Sequence, residues 1–164
     1  QITDITINDL TNLSISVLAL DFDGVLNSHG EDYPKLEVIV WLHQIQEHFL
    51  PDNIFILSNK PSAARQQFFE EHFPGIRFIK GVRKKPYPDG LEAIFKLKNL
   101  SLKQRQQVAL IDDRLLTGML ATCIAGCQGL YIDSPYTQFK VRPIEESFFQ
   151  MLRYWERFFL GYRS

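Results

Sequence analysis

The apolar run Val17-Leu-Ala-Leu20 passes without a break into Asp21-Phe-Asp23-Gly24. Four consecutive apolar residues read as a short strand covered on both faces, the pattern of a parallel sheet. Parallel sheets carry their chemistry beyond the carboxyl ends of their strands, and both acids fall at such an end. Related patterns return along the chain. Ile54–Leu57 ends in Ser58-Asn59-Lys60-Pro61, and Ile76–Ile79 precedes the basic Gly81–Lys85. Val108–Ile111 ends in Asp112-Asp113, and Leu130–Ile132 forms a fifth run. Helical segments alternate with them: Pro34 to Ile45, Ser62–His72, about Asp89–Leu100, and Leu115–Ala125 closed by Gly126. Residues 2–16 form a leader with an apolar rhythm, and Pro143 opens a last helix to about Leu160. The alternation predicts an α/β protein, a Rossmann-like three-layer α/β/α sandwich around a parallel five-stranded sheet.

At 164 residues the chain is one domain with room for a substantial core. We assign residues 1–142 to that core and 143–164 to a C-terminal aromatic helix, packed on it or leading to a further segment. The net charge of −1 argues against nucleic acid as a partner, since such binding rests on many phosphate contacts. Cys123 and Cys127 read as small apolar residues packed under a helix; a zinc site would need two further ligands. Nothing reads as a disulfide framework, so a reducing, cytoplasmic compartment is expected. No apolar run has the length of a membrane span. The chain opens at Gln1 rather than Met, and an upstream or processed segment is expected before it. No feature fixes the oligomeric state.

Strand one delivers Asp21 and Asp23 to the carboxyl edge, strand two Ser58, and strand four Asp112 and Asp113, while Lys85 precedes the next helix. Carboxylates gathered at one edge repel each other unless a cation lies among them. All-oxygen ligands suit a hard ion, and Mg2+ is the usual partner of carboxylates plus phosphate. Lysine and serine can bind phosphoryl oxygens, one by charge and one by hydrogen bond. An aspartate can accept a phosphoryl group, and a second carboxylate can move the proton.

The segments DFDGVLN, LSNK, KKP and IDDR, in this order, resemble the four motifs of the haloacid dehalogenase-like (HAD) phosphatases. The resemblance implies Asp21 as nucleophile and Asp23 as general acid/base. It implies that Ser58, Asn59, Lys85 and Gly24 meet the substrate phosphate, with Lys85 steadying the aspartyl phosphate. Mg2+ would be bound by Asp113 and Asp21 with the Asp23 carbonyl, and Asp112 would be an outer-sphere acid. Lys85, next to Pro86, fits the pattern better than Lys84. Many relatives instead carry Gly-Asp followed by a second aspartate four or five residues later. Here that later position is Gly118, and Asp112 replaces the preceding glycine. The ligand set is therefore left open.

The stretches from Asp21 to Ser58 and from Ser58 to Lys85 have no room for a cap domain. An open site suits a phosphate presented on something large: a lipid head group, a phosphoprotein or a nucleic-acid end. Leu115–Leu120 and the terminal Arg-Tyr-Trp-Glu-Arg helix are similar to the phosphatidylglycerophosphate phosphatase-like branch. The adjacent acids resemble those of small protein phosphatases, and IDDR resembles the phosphatase half of polynucleotide kinases. The expectation is a Mg2+-dependent phosphomonoester phosphatase acting through an aspartyl phosphate on a lipid head group or phosphoprotein. A phosphotyrosine or phosphoserine phosphatase and an inactive HAD-like binding module are the alternatives.

Two readings stand for the last helix. Phe148, Met151, Leu152, Trp155, Phe159 and Tyr162 recur at helical spacing, broadened by Phe149 and Phe158 and flanked by Arg153, Arg157 and Arg163. The stripe packs on the sheet, or it lies on a membrane surface or partner and makes the protein peripheral there. His29, on the loop after strand one, reads as a solvated histidine, with contact to substrate as the alternative.

Overall fold

The computed structural model describes residues 1–58, 62–79 and 83–161. The sheet runs β3 (Arg77–Phe78), β2 (Ile54–Ile56), β1 (Val17–Leu20), β4 (Val108–Asp112), β5 (Gln128–Tyr131), with every pairing parallel. The predicted α/β sandwich is therefore the observed one. In β1, β2 and β4 every residue is buried, so side-chain alternation separates two apolar layers rather than an inside from an outside. Leu18, Leu20, Ile54 and Ile56 face one layer with α2 (Leu36–Gln46) and α3 (Ala63–His72). Val17, Ala19, Phe55 and Leu110 face the other with α4 (Asp89–Leu97) and α5 (Leu120–Ala125). The leader contributes α1 (Ile7–Asn12), capped by Thr6 and sealed by buried Leu10.

Between β1 and β2 stand a short flap and α2, and the described residues between β2 and Lys85 form α3 and β3. No cap domain stands over the described residues of the sheet edge. Strand order reverses between β1 and β4, which opens the crevice where open α/β sheets bind ligands.

Three expectations need correction. The helix over Leu115–Ala125 is divided: Leu115–Met119 is a π-helical turn, closed by the Met119 amide donating to the Arg114 carbonyl, and α5 follows. Cys123 is exposed rather than packed under the helix, and Cys127 lies past its end at Gly126, half-buried with its thiol pushed up to about 12 by burial. The third concerns one of the two readings of α6 (Pro143–Leu160), the packing of its stripe on the sheet. Its buried residues are Glu146, Arg153 and Glu156, while Phe148, Met151, Tyr154, Trp155, Phe158 and Phe159 are exposed. The aromatic stripe faces outward because polar groups already fill the docking face. Glu156 accepts from Arg114 and the Leu115 amide, and Arg157 reaches the Tyr131 hydroxyl and the Asp133 carbonyl. Among the described residues no helix is long and apolar enough to cross a membrane. Tyr162 and Arg163, expected on and beside the stripe, lie outside the described residues.

Candidate active site

The ladder between β1 and β4 continues one residue past β1, where the Asp21 amide donates to the Ile111 carbonyl at 2.9 Å. This fixes Asp21 beside the end of β4, where Asp112 closes the strand and Asp113 follows. Asp21, Asp112 and Asp113 each offer an oxygen within 4.8 Å of the others, and all three are buried. Lys85 stands between two of them, 2.8 Å from Asp21 Oδ1 and hydrogen-bonded to Asp112 Oδ2. Its bond to Pro86 is cis. Lys84 lines the same cavity, but Lys85 makes the buried carboxylate contacts. Asp112 also accepts from the Arg114 amide at 2.9 Å, so its carboxylate both anchors backbone and pairs with the lysine.

Burial pushes the Asp21 carboxyl up to about 8; Lys85 lowers it, while Asp112 and Asp113 raise it further. Burial also pushes Asp113 up to about 6, against the pull of Arg153. Burial disfavours the charge on Lys85, but Asp112 and Asp21 more than offset this and hold it above its ordinary value. Asp113 Oδ1 is buried without a hydrogen-bond partner among the described residues. An oxygen-only set of three close, buried carboxylates with one orphaned oxygen fits a hard divalent cation such as Mg2+.

The Asp23 side chain belongs to a different arrangement. Arg65, in the first turn of α3, donates to both its oxygens, at 2.8 and 3.3 Å, and stacks 3.8 Å from the centroid of the Phe22 ring. The Gly30 amide adds a third bond. Burial alone would raise the Asp23 carboxyl, but the Arg65 contacts prevail and lower it. Arg65 also reaches Ser58, buried two residues beyond β2. Gly24 has a φ of +88°, and a Cβ there would come within 2.6 Å of Asp113 Oδ2, so the loop after β1 needs a glycine on both counts. Asn59 lies outside the described residues.

Sequence reasoning missed Arg65 and Arg153 and misjudged His29. The His29 ring stacks on Phe149 of α6 at 4.0 Å, its Nε2 is 3.2 Å from Arg153, and burial depresses its pKa to about 4. Arg153 itself pairs with Asp113. A cavity of about 810 Å³ is lined by Asp21, Asp23, His29, Arg65, Lys85 and Asp113, and Ile144, Phe148 and Phe149 of α6 form part of its wall.

Gly118 explains the departure from the common motif. A Cβ at this position would overlap the Asp112 carboxylate, so the missing side chain makes room for the adjacent acid. The two deviations are one exchange of space.

A family model described as mitochondrial PGP phosphatase matches residues 1–137. No curated protein and no solved structure gives a match.

Proposed function

The chain belongs to the mitochondrial PGP phosphatase family, a HAD-type group of phosphoric monoester hydrolases, and from that membership we propose that it removes a terminal phosphate from a phospholipid head group. The observation that carries the reading is the trio Asp21, Asp112 and Asp113 at the switch point, with Lys85 between two of its members. Asp21 is the nucleophile: a carboxylate oxygen bonds to phosphorus as the ester oxygen departs, leaving an aspartyl phosphate that water then cleaves. Bound Mg2+, held by Asp21, Asp113 and the Asp23 carbonyl with Asp112 in the outer sphere, would supply positive charge against carboxylate repulsion and for phosphoryl oxygens.

Lys85 steadies Asp21 as an ion and then the phosphoryl group it acquires. Ser58, with Asn59 and the Gly24 loop, binds phosphoryl oxygens. Asp23 is the acid/base. Arg65 favours its ionised form, which suits activation of water in the second half. Protonating the leaving oxygen in the first half requires Asp23 to carry a proton, and loosening of Arg65 toward the incoming phosphate would allow it.

The open cavity favours a large substrate over a small metabolite. The exposed aromatic face of α6 favours a lipid surface as its support, because Ile144 and Phe148 belong to the outer face of the helix and also to the cavity wall. On this reading the protein is peripheral to a membrane. The family description supports a mitochondrial location beside the cytoplasmic one expected from cysteine usage.

The test is a substrate panel of phosphatidylglycerophosphate, phosphotyrosine and phosphoserine peptides, 3′-phosphorylated oligonucleotides and an aryl phosphate, with and without Mg2+. Phosphatidylglycerophosphate should be preferred, and Asp21→Asn should lower every Mg2+-dependent rate by about a thousandfold or more. Preference for a peptide would replace the lipid reading, and a flat, poor response would favour a binding module.

A further inference from the structure

We propose that Arg153 of α6 is a positioning residue for the cation site, holding one oxygen of Asp113 so that the other is left for a divalent cation. This rests on the reading of Asp113 as a metal ligand. Arg153 lies outside the residues matched by the family model, and only 4% of it is exposed. Its Nε donates to Asp113 Oδ2 at 2.7 Å, and its Nη2 contacts the same oxygen at 2.5 Å. A guanidinium often spans both oxygens of a carboxylate in a two-pronged fork. Here both nitrogens converge on Oδ2, and Oδ1 remains buried without a hydrogen-bond partner among the described residues.

The guanidinium is itself held in place. Nη2 also meets His29 Nε2 at 3.2 Å, and since arginine only donates, Nε2 accepts and the ring proton lies on Nδ1. Phe149, one helical turn before Arg153, stacks on that ring. Arg142 donates to the His29 carbonyl at 2.9 Å, and Glu156 ties α6 to Arg114 and the Leu115 amide. The helix therefore acts as a brace, and the flap histidine and the Asp113 carboxylate grip the same side chain. Hydrogen-bonded partners of metal-ligating carboxylates orient the ligand, and their loss commonly weakens metal binding about 10–100-fold.

An opposing effect has a definite sign. A guanidinium beside a cation site also repels the cation, so removing it would tighten binding if charge outweighed orientation. Calorimetric titration with MgCl2 alone separates the two. Arg153→Met should bind Mg2+ roughly tenfold or more weakly than the wild type, and Arg153→Lys should recover part of the loss. The Mg2+ concentration for half-maximal aryl-phosphate hydrolysis should rise in parallel, with little change in the KM for the aryl phosphate. Glu156→Gln, which loosens α6 without touching Asp113, should shift Mg2+ affinity less. If circular dichroism shows Arg153→Met unfolded, Arg153→Gln takes its place with the same expectation. Affinity equal to or tighter than wild type in the folded variant overturns the inference while leaving the metal reading intact. Absence of Mg2+ binding by the wild type overturns both.

Discussion

Adding one methyl group at Gly118 tests whether the Asp112 carboxylate and the bare backbone opposite it are a single device. In an ordinary helix Gly→Ala gains about 1 kcal/mol from reduced backbone freedom. Here the new Cβ would overlap Asp112, whose carboxylate is fully buried and bonded to Lys85 and the Arg114 amide. Overpacking costs about 1–3 kcal/mol, and losing one charge-assisted bond costs about 1.5–3 kcal/mol. The net for Gly118→Ala is a loss of about 1.5–5 kcal/mol, or roughly 3–20 °C in Tm for a domain of this size. Activity should fall with it, because the displaced acid is a partner of Lys85. Thermal unfolding and aryl-phosphate hydrolysis measure the two effects. Asp112→Gly combined with Gly118→Asp restores the common arrangement, and the pair should be more stable than the sum of the single changes by at least about 1 kcal/mol. A stabilised, fully active Gly118→Ala protein, or strict additivity in the cycle, would refute the reasoning.

Two further expectations concern pH and surface. With metal chelated, Asp21 titrates near 8 in the folded protein and at its ordinary value of 3.8 when unfolded, so its contribution to stability is lost as pH rises from there through 8. His29 acts the other way: depressed from 6.5 to about 4, it makes stability rise over that interval and adds no slope above it. Stability in EDTA should therefore decline between pH 6.5 and 8, and Asp21→Asn should flatten the decline. A rise over that window in the wild type contradicts the assignment. For the α6 surface, Phe158→Glu with Phe159→Glu should abolish co-sedimentation with phosphatidylglycerol vesicles and slow hydrolysis of vesicle-borne substrate, leaving the aryl-phosphate rate unchanged. Unaltered sedimentation would count against a lipid surface, and a shift from dimer to monomer would identify a second copy as the occupant.

The sheet was legible because its signals are local. Three buried strands announce themselves as short apolar runs, and the carboxyl ends of β1 and β4 carry the acids that converge where the strand order reverses. β3 was overestimated because an apolar run reports burial, whereas strand length also depends on a partner's reach: Arg77 and Phe78 pair in register with β2, and Ile79 adds a single bond to the Ile56 carbonyl. The π-helical turn was hidden because one i→i−5 bond leaves no mark in the apolar spacing of five residues. Arg65 and Arg153 were hidden for a different reason: each meets a carboxylate about forty residues away, and a sequence holds no sign of which arginine will do so. The periodicity of α6 was read correctly as a stripe. Its direction stayed open between core and surface, because periodicity identifies the apolar face and says nothing about which face the core will accept.

That inverted helix also has a thermodynamic signature. Lifting α6 from the core would separate Glu146, Arg153, Glu156 and Arg157 from their partners and uncover little apolar surface. Heat capacity and denaturant sensitivity both scale with the surface exposed, so such an opening would contribute little to either. Salt would act on it strongly where urea would not. Hydrogen exchange of the α6 amides should then divide the molecule into two cooperative units, a sheet whose protection falls with denaturant and a helix whose protection falls with ionic strength.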